Sequence, residues 1–217
     1  MTLTLHRPTD APLGPTLADR LVPAAATARL GSTARDVALV VAGTLLIALS
    51  ATVSIHLPNN PVPITGQTFG VLLVAGALGL RRGIAATGLY VLIGVIGLPA
   101  FAEGKAGLGV IASVSDGRLV LGATGGYLVG FVLAGALVGR LAERRWDRRV
   151  PGALAALILG NVVIYLVGLP WLAAATGFSA SEAIAKGLVP FVLGDALKIL
   201  LAGAALPAAW WIVGRER

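Results

Sequence analysis

No Asp, Glu, Lys or Arg lies between Asp36 and Arg81, and shorter uncharged stretches recur through the rest of the chain. Backbone that long without a charge buries cheaply only in lipid, so the bilayer is part of the solvent in which this protein folds. Composition agrees: of 217 residues, 57% are hydrophobic and 12% charged, about half the charge of a typical soluble domain. The 29 glycines suit helices that approach one another closely within a membrane. There is no cysteine, which excludes disulfides, thiol catalysis and cysteine-held metal. The net charge of +7 resides in short arginine clusters between the apolar runs. That is a topology signal, not a nucleic-acid face.

The first uncharged stretch is interrupted by three prolines and two asparagines at Pro58, Asn59, Asn60, Pro61 and Pro63, which cannot continue a helix. The expectation is an all-α integral membrane protein of six transmembrane helices. Its spans are residues 35–55, 65–80, 83–98, 124–139, one within 150–175, and 188–213. The second and third are short, about 24 Å at 1.5 Å per residue. Placing the N-terminus in the cytosol puts Arg7, Arg20, Arg29, Arg35, Arg81, Arg82, Arg140, Arg144, Arg145, Arg148, Arg149, Arg215 and Arg217 inside. Only Lys105, Arg118 and Lys186 fall outside. The positive-inside rule therefore predicts cytosolic N- and C-termini in a multi-pass cell-membrane protein. Residues 1–34, with Pro8, Pro12, Pro15 and Pro23 and no continuous apolar core, read as a mobile cytosolic segment rather than a signal peptide. A surface-lying helix is expected there around 16–30, ahead of a membrane domain at 35–217.

Machinery for chemistry is missing. No G-x-x-x-x-G-K-[ST] loop, H-E-x-x-H pair or G-x-S-x-G elbow is present. The two histidines are His6 in the tail and His56 at a span end. The expectation is no enzyme, no resident cofactor and no metal site. No internal repeat supports an inverted-repeat transporter.

Two ionisable residues nevertheless fall inside the last span, Asp195 and Lys198. At a helix centre each costs about 2.5–3.5 kcal/mol, and a spacing of three sets them on one face. A salt bridge that merely locks the bundle is one reading; a substrate or ion pathway is the reading such residues usually carry. Three more polar stretches fall on the same, outer side: 63–69 with Gln67 and Phe69, 97–101 ending in Phe101, and 122–127 with Thr124, Gly125, Gly126 and Tyr127. The paired glycines allow a ligand close to the backbone, or serve a helix cap with Thr124 as N-cap. Tyr127 equally suits an interfacial aromatic belt. Convergence of four patches on one side predicts a binding pocket at the outer leaflet. On the first span, Ala38 and Ala42 form a small-x-x-x-small pair that would let another helix approach. The loop 140–149 reads as an anchor on anionic lipid.

The stretches PVPITGQTFGVLLVAGALG (61–79), GLPAF (97–101), GATGGYLVGF (122–131) and PFVLGDALKILLAG (190–203) together resemble the BioY family. These are the biotin-specific substrate-binding subunits, or S components, of energy-coupling factor (ECF) transporters. The resemblance implies a six-helix subunit that captures biotin from outside. It also implies partners, namely a transmembrane coupling subunit and a pair of ABC-type ATPases, in a bacterial or archaeal membrane. It assigns substrate binding to Thr124, Gly125, Gly126, Tyr127, Asp195, Lys198 and Gln67, and coupling-subunit contact to Ala38 and Ala42. Phe69, Phe101 and Tyr127 would flank the rings. Asp195 would accept from a ureido N–H, and Lys198 would meet the ureido oxygen or the carboxylate. Ala123 replaces a common proline, and 113–119 looks like an insertion in the outer loop. An S component for another vitamin and a stand-alone ion-coupled transporter are the alternatives.

Overall fold

The structure, a computed structural model, describes residues 15–22, 31–115 and 117–215. It is mostly helical: α1 Leu17–Leu21, α2 Gly31–Ala51, α3 Gln67–Val95, α4 Gly125–Glu143, α5 Val150–Thr176, α6 Ala180–Gly187 and α7 Val192–Arg215. By length and composition five of these helical runs can cross a membrane, with α6 and α7 forming the fifth. The boundaries follow local chemistry. A proline sits in the first turn of α5, and Gly177 closes that helix with φ 72°. A capping box between Ser179 and Glu182 starts α6, an element the span reading had passed over.

The expected spans 65–80 and 83–98 coincide for most of their length with the single helix α3. Gly79, with φ 80° and ψ −173°, breaks it. The Gln67 amide donates to the Tyr90 hydroxyl, although residues 23 apart in a straight helix stand about 35 Å apart. A Cβ added at Gly83 would lie 3.2 Å from Ala75 Cα. The chain therefore doubles back at Gly79, and α3 is a hairpin of two helical arms. Arginines 81 and 82, expected in a loop, belong to the second arm. The restart leaves the Leu80 N–H without a helical partner, and the Glu143 carboxylate accepts it at 3.0 Å. Gly139 lies directly against the turn, where an added Cβ would meet the Gly79 carbonyl group at 2.6 Å.

Two stretches between the helices form hairpins. The first span ends at Ala51 instead of 55, because Ser54 and Ile55 pair antiparallel with Thr65 and Ile64 as strands β1 (Ser54–Ile55) and β2 (Ile64–Thr65). The proline-rich stretch is the tip of that hairpin. Of the segment expected as an insertion, residues 113–115 and 118–119 lie in a second hairpin, β3 (Ala112–Ser115) and β4 (Arg118–Leu121), with Val114 and Leu119 exposed.

Residues 1–14 and 23–30, which carry much of the expected mobile segment and surface helix, lie outside the described residues. Residues 15–22, in contrast, are docked. A capping box from Thr16 to Asp19 starts α1, and Leu17 and Ala18 are buried. Arg35 is buried too; it donates to the Val22 carbonyl at 2.7 Å and to Asp19 at 3.0 Å, and Arg82 reaches the same carboxylate at 2.8 Å. Burial alone would raise the Asp19 carboxyl. The hydrogen bonds from Arg82, Thr16 and Arg35 outweigh it and hold the group well below the usual carboxylate range. A depressed carboxyl stabilises the docked state fully above its unfolded pKa of about 3.9, and that contribution fades only as pH falls further. Because the chain lacks cysteine, a single cysteine at Ala18 reports the contact. It should resist maleimide at pH 7 and react readily once Arg35→Ala removes the clamp; equal labelling rates in both backgrounds would contradict the docking.

A candidate binding cavity at one end of the bundle

The arginine-rich turns lie at one end of the helices, around Gly79 and Glu143. A cavity opens at the other, around the starts of α3, α4 and α7. It encloses about 650 Å³ of space between atoms, the open solvent at its mouth included. All four polar stretches supply wall: Pro63 and Gln67, Phe101, Thr124 and Tyr127, and Phe191, Asp195 and Lys198. Leu128, Phe131 and Ile164 make the remainder largely apolar.

Asp195 is the best-anchored side chain of the cavity, 4% exposed. Its Oδ1 accepts from Lys198 Nζ at 3.0 Å and from the Thr68 hydroxyl at 3.3 Å. Its Oδ2 accepts from the Tyr165 hydroxyl at 2.5 Å and from Asn161 Nδ2 at 3.2 Å. Lys198 also donates to Thr68 at 3.2 Å. Three helices thus converge on one carboxylate, which is how an ion survives in an apolar bundle. Thr68, Asn161 and Tyr165 escaped the sequence reading. A signal existed for two of them, since Asn161 and Tyr165 are polar residues one helical turn apart within the apolar run of α5.

The aromatic walls are held from behind. Phe101 meets Tyr90 edge-on at 5.7 Å, and Gly94 leaves room for its ring. The Tyr90 hydroxyl donates to the Ala100 carbonyl at 3.1 Å and accepts from Gln67, whose other amide end accepts from Thr65 at 3.1 Å. Tyr127 is buried, donates to the Gly187 carbonyl at 3.0 Å and stands edge-on to Tyr165 at 6.2 Å. It is an interior residue and not an interfacial belt. Thr124 occupies the N-cap position of α4 without a side-chain cap bond and faces the cavity.

Three expected site residues lie outside the wall. Gly125 and Gly126 face Trp171, where a Cβ on Gly126 would come within 2.2 Å of the indole side chain; they let α4 close on α5. Phe69 packs, partly buried, against the hydrophobic core. Ala38 and Ala42 lie on the outward face of α2, exposed and outside the cavity wall.

Lys105 stands at the mouth, a cation the sequence reading had used only for topology. Its ammonium lies 2.7 Å from one Glu103 oxygen, and His56 Nδ1 lies 2.9 Å from the other. The Lys105 hydrogen bond holds the Glu103 carboxyl low against the opposing effect of burial, and His56 adds to the lowering. Among the described residues no group of three or more His, Asp or Glu side chains could hold a metal ion.

The profile of the family described as BioY matches residues 23–215. A protein of Thermotoga maritima named "Biotin transporter BioY" is 39% identical over 159 residues, covering 73% of this chain and 86% of its own. One of Rhizobium etli with the same name is 34% identical over 165 residues, 73% of this chain and 83% of its own. A "Probable biotin transporter BioY" of Pyrococcus horikoshii is 33% identical, with coverages of 76% and 90%. Among solved structures, an "S-component for biotin from an ECF-type ABC transporter" superposes with a TM-score of 0.71 at 23% identity, covering 81% of this chain and 90% of the other. At that identity the likeness shows the fold.

Proposed function

The chain belongs to the BioY family, and from that membership we propose that it captures biotin at the outer face of a bacterial or archaeal cell membrane. It does so as the non-catalytic substrate-binding subunit of an ECF-type transporter. The relatives' names supply the substrate; the observation that carries the mechanism is the pairing of cations at opposite depths of one cavity. Lys198 is deep, with a side chain 16% exposed beside Asp195, and Lys105 is at the mouth, 49% exposed. Biotin offers a ureido ring at one end and a carboxylate at the other. A ligand carboxylate beside Asp195 would meet a like charge at low dielectric. The ureido ring therefore goes to the deep pair and the carboxylate to Lys105, with the thioether ring and valeryl chain against Phe101, Tyr127 and Phe131. Gln67 and Thr124 border the same space. Gly125 and Gly126 serve the site indirectly, by holding α4 against α5.

The two-armed α3 and the arginine distribution support six crossings with both termini cytosolic. Transport then needs an engine from elsewhere, since this chain has no phosphate loop. A transmembrane coupling subunit and ABC-type ATPases supply it, and Ala38 and Ala42 on the outward face of α2 form the contact through which a partner helix approaches.

Asp195→Asn and Lys198→Met, each made alone, should weaken biotin binding to the detergent-solubilised subunit by about 100-fold or more. The charge left behind is buried without its partner, a penalty of about 3–5 kcal/mol. Parent-like affinity in both variants, read by calorimetry, would make the pair purely structural. Ala38→Trp or Ala42→Trp should leave biotin binding to the isolated subunit intact, because both side chains point away from the cavity. In cells holding the full complex it should sharply reduce ATP-driven uptake by preventing close helix approach. Loss of binding and uptake together would instead assign α2 to the pocket.

A further inference from the structure

The four hydrogen bonds to Asp195 leave the carboxylate with no free acceptor position. Its two oxygens offer about four lone-pair sites, and Lys198, Thr68, Tyr165 and Asn161 fill them. A urea N–H arriving in the cavity cannot bond Asp195 unless one of these donors leaves. Asn161 is not part of the cavity wall, whereas Tyr165 is. The Tyr165 phenol has its one proton committed to Asp195 Oδ2 at 2.5 Å. Its oxygen keeps acceptor capacity, and among the described residues no donor reaches it. A phenol donating to a carboxylate is polarised, which makes its oxygen a stronger acceptor. Beside it, Lys198 Nζ has three N–H bonds and spends two, on Asp195 and Thr68, so one remains for a carbonyl oxygen.

We propose that Tyr165 is a specificity-determining residue whose phenol oxygen, oriented by Asp195, accepts one ring N–H of the ligand's cyclic urea while the remaining Lys198 N–H meets its carbonyl. Asp195 then acts through Tyr165 and Lys198 as a positioning residue. The pair Tyr165 and Lys198 presents an acceptor next to a donor, matching the N–H and C=O edge of a urea. A ring carrying only acceptors on that edge leaves the Tyr165 oxygen facing a lone pair and is rejected. The edge-on ring of Tyr127 at 6.2 Å fixes the plane of the Tyr165 ring.

The inference rests on biotin being the ligand, and the test separates the two. Affinity for biotin, and for two isosteric analogues in which one or the other ring N–H is replaced by oxygen, is measured on the purified full chain and on Tyr165→Phe. Tyr165→Phe should weaken biotin about 10- to 100-fold. One of the two analogues should bind the parent weaker than biotin by a similar factor, and Tyr165→Phe should change its affinity by less than about threefold. The parent measurements with the analogues stand whether or not the variant folds. Unchanged biotin affinity in Tyr165→Phe, an equal loss for all three ligands, or analogues that bind the parent as well as biotin does would overturn the assignment. A parent that does not bind biotin would overturn the functional reading beneath it.

Discussion

Asp195 is an anion placed where the surroundings offer little to solvate it, and the cavity end of the bundle is arranged around satisfying it. Lys198 provides the counter-charge from one turn along the same helix. One cation neutralises a carboxylate without filling its acceptor positions, and the remaining donors come from Thr68 at the start of α3 and from Asn161 and Tyr165 in α5. Each contact fixes a helix relative to α7. The register of three helices, and with it the shape of the cavity, is thereby tied to one side chain. A bundle held only by apolar contacts could slide, because lipid tails are as apolar as the helices.

The opposite end solves a different problem with similar means. The chain must reverse at Gly79 without leaving backbone groups unpaired near lipid, where each would cost several kcal/mol. The Glu143 side chain takes the freed Leu80 N–H. Along the helices, Thr44 and Thr87 bond carbonyls of their own helices, and Thr44 also bonds the Ala86 carbonyl across to α3. The N-terminal α1 is held by charge, with Asp19 between Arg35 and Arg82. Arginines that the positive-inside pattern reads as anchors therefore also act as clamps.

Much of the candidate site was legible because burying charge is costly enough to leave a mark in sequence. Asp195 and Lys198 stand out in an apolar run, and the three other stretches that line the cavity announce themselves by their polar residues and glycines. Function beyond a pocket came from resemblance, since no spacing alone specifies biotin. Three kinds of feature stayed hidden. Neutral donors such as Thr68 and Tyr165 are common residues, and only the fold shows that they converge on one carboxylate. Gly125 and Gly126 fit a ligand cradle and a helix contact equally well by sequence; the indole of Trp171, some 45 residues away in the chain, decides their placement. The turn at Gly79 is a single residue, so a reading that looked for a loop placed it at the two arginines that follow.

In the proposed function this chain supplies the binding site and its partner subunits supply the energy. The most direct test of that division is radiolabelled biotin uptake into vesicles containing the subunit alone, under an imposed proton or sodium gradient. It is then repeated with the coupling subunit and ATPases present and ATP on the cytosolic side. A subunit that only binds gives binding without accumulation in the first case and accumulation in the second. A steep biotin gradient built by the subunit alone would contradict that division and make Asp195 the candidate ion-binding carboxylate of a secondary transporter.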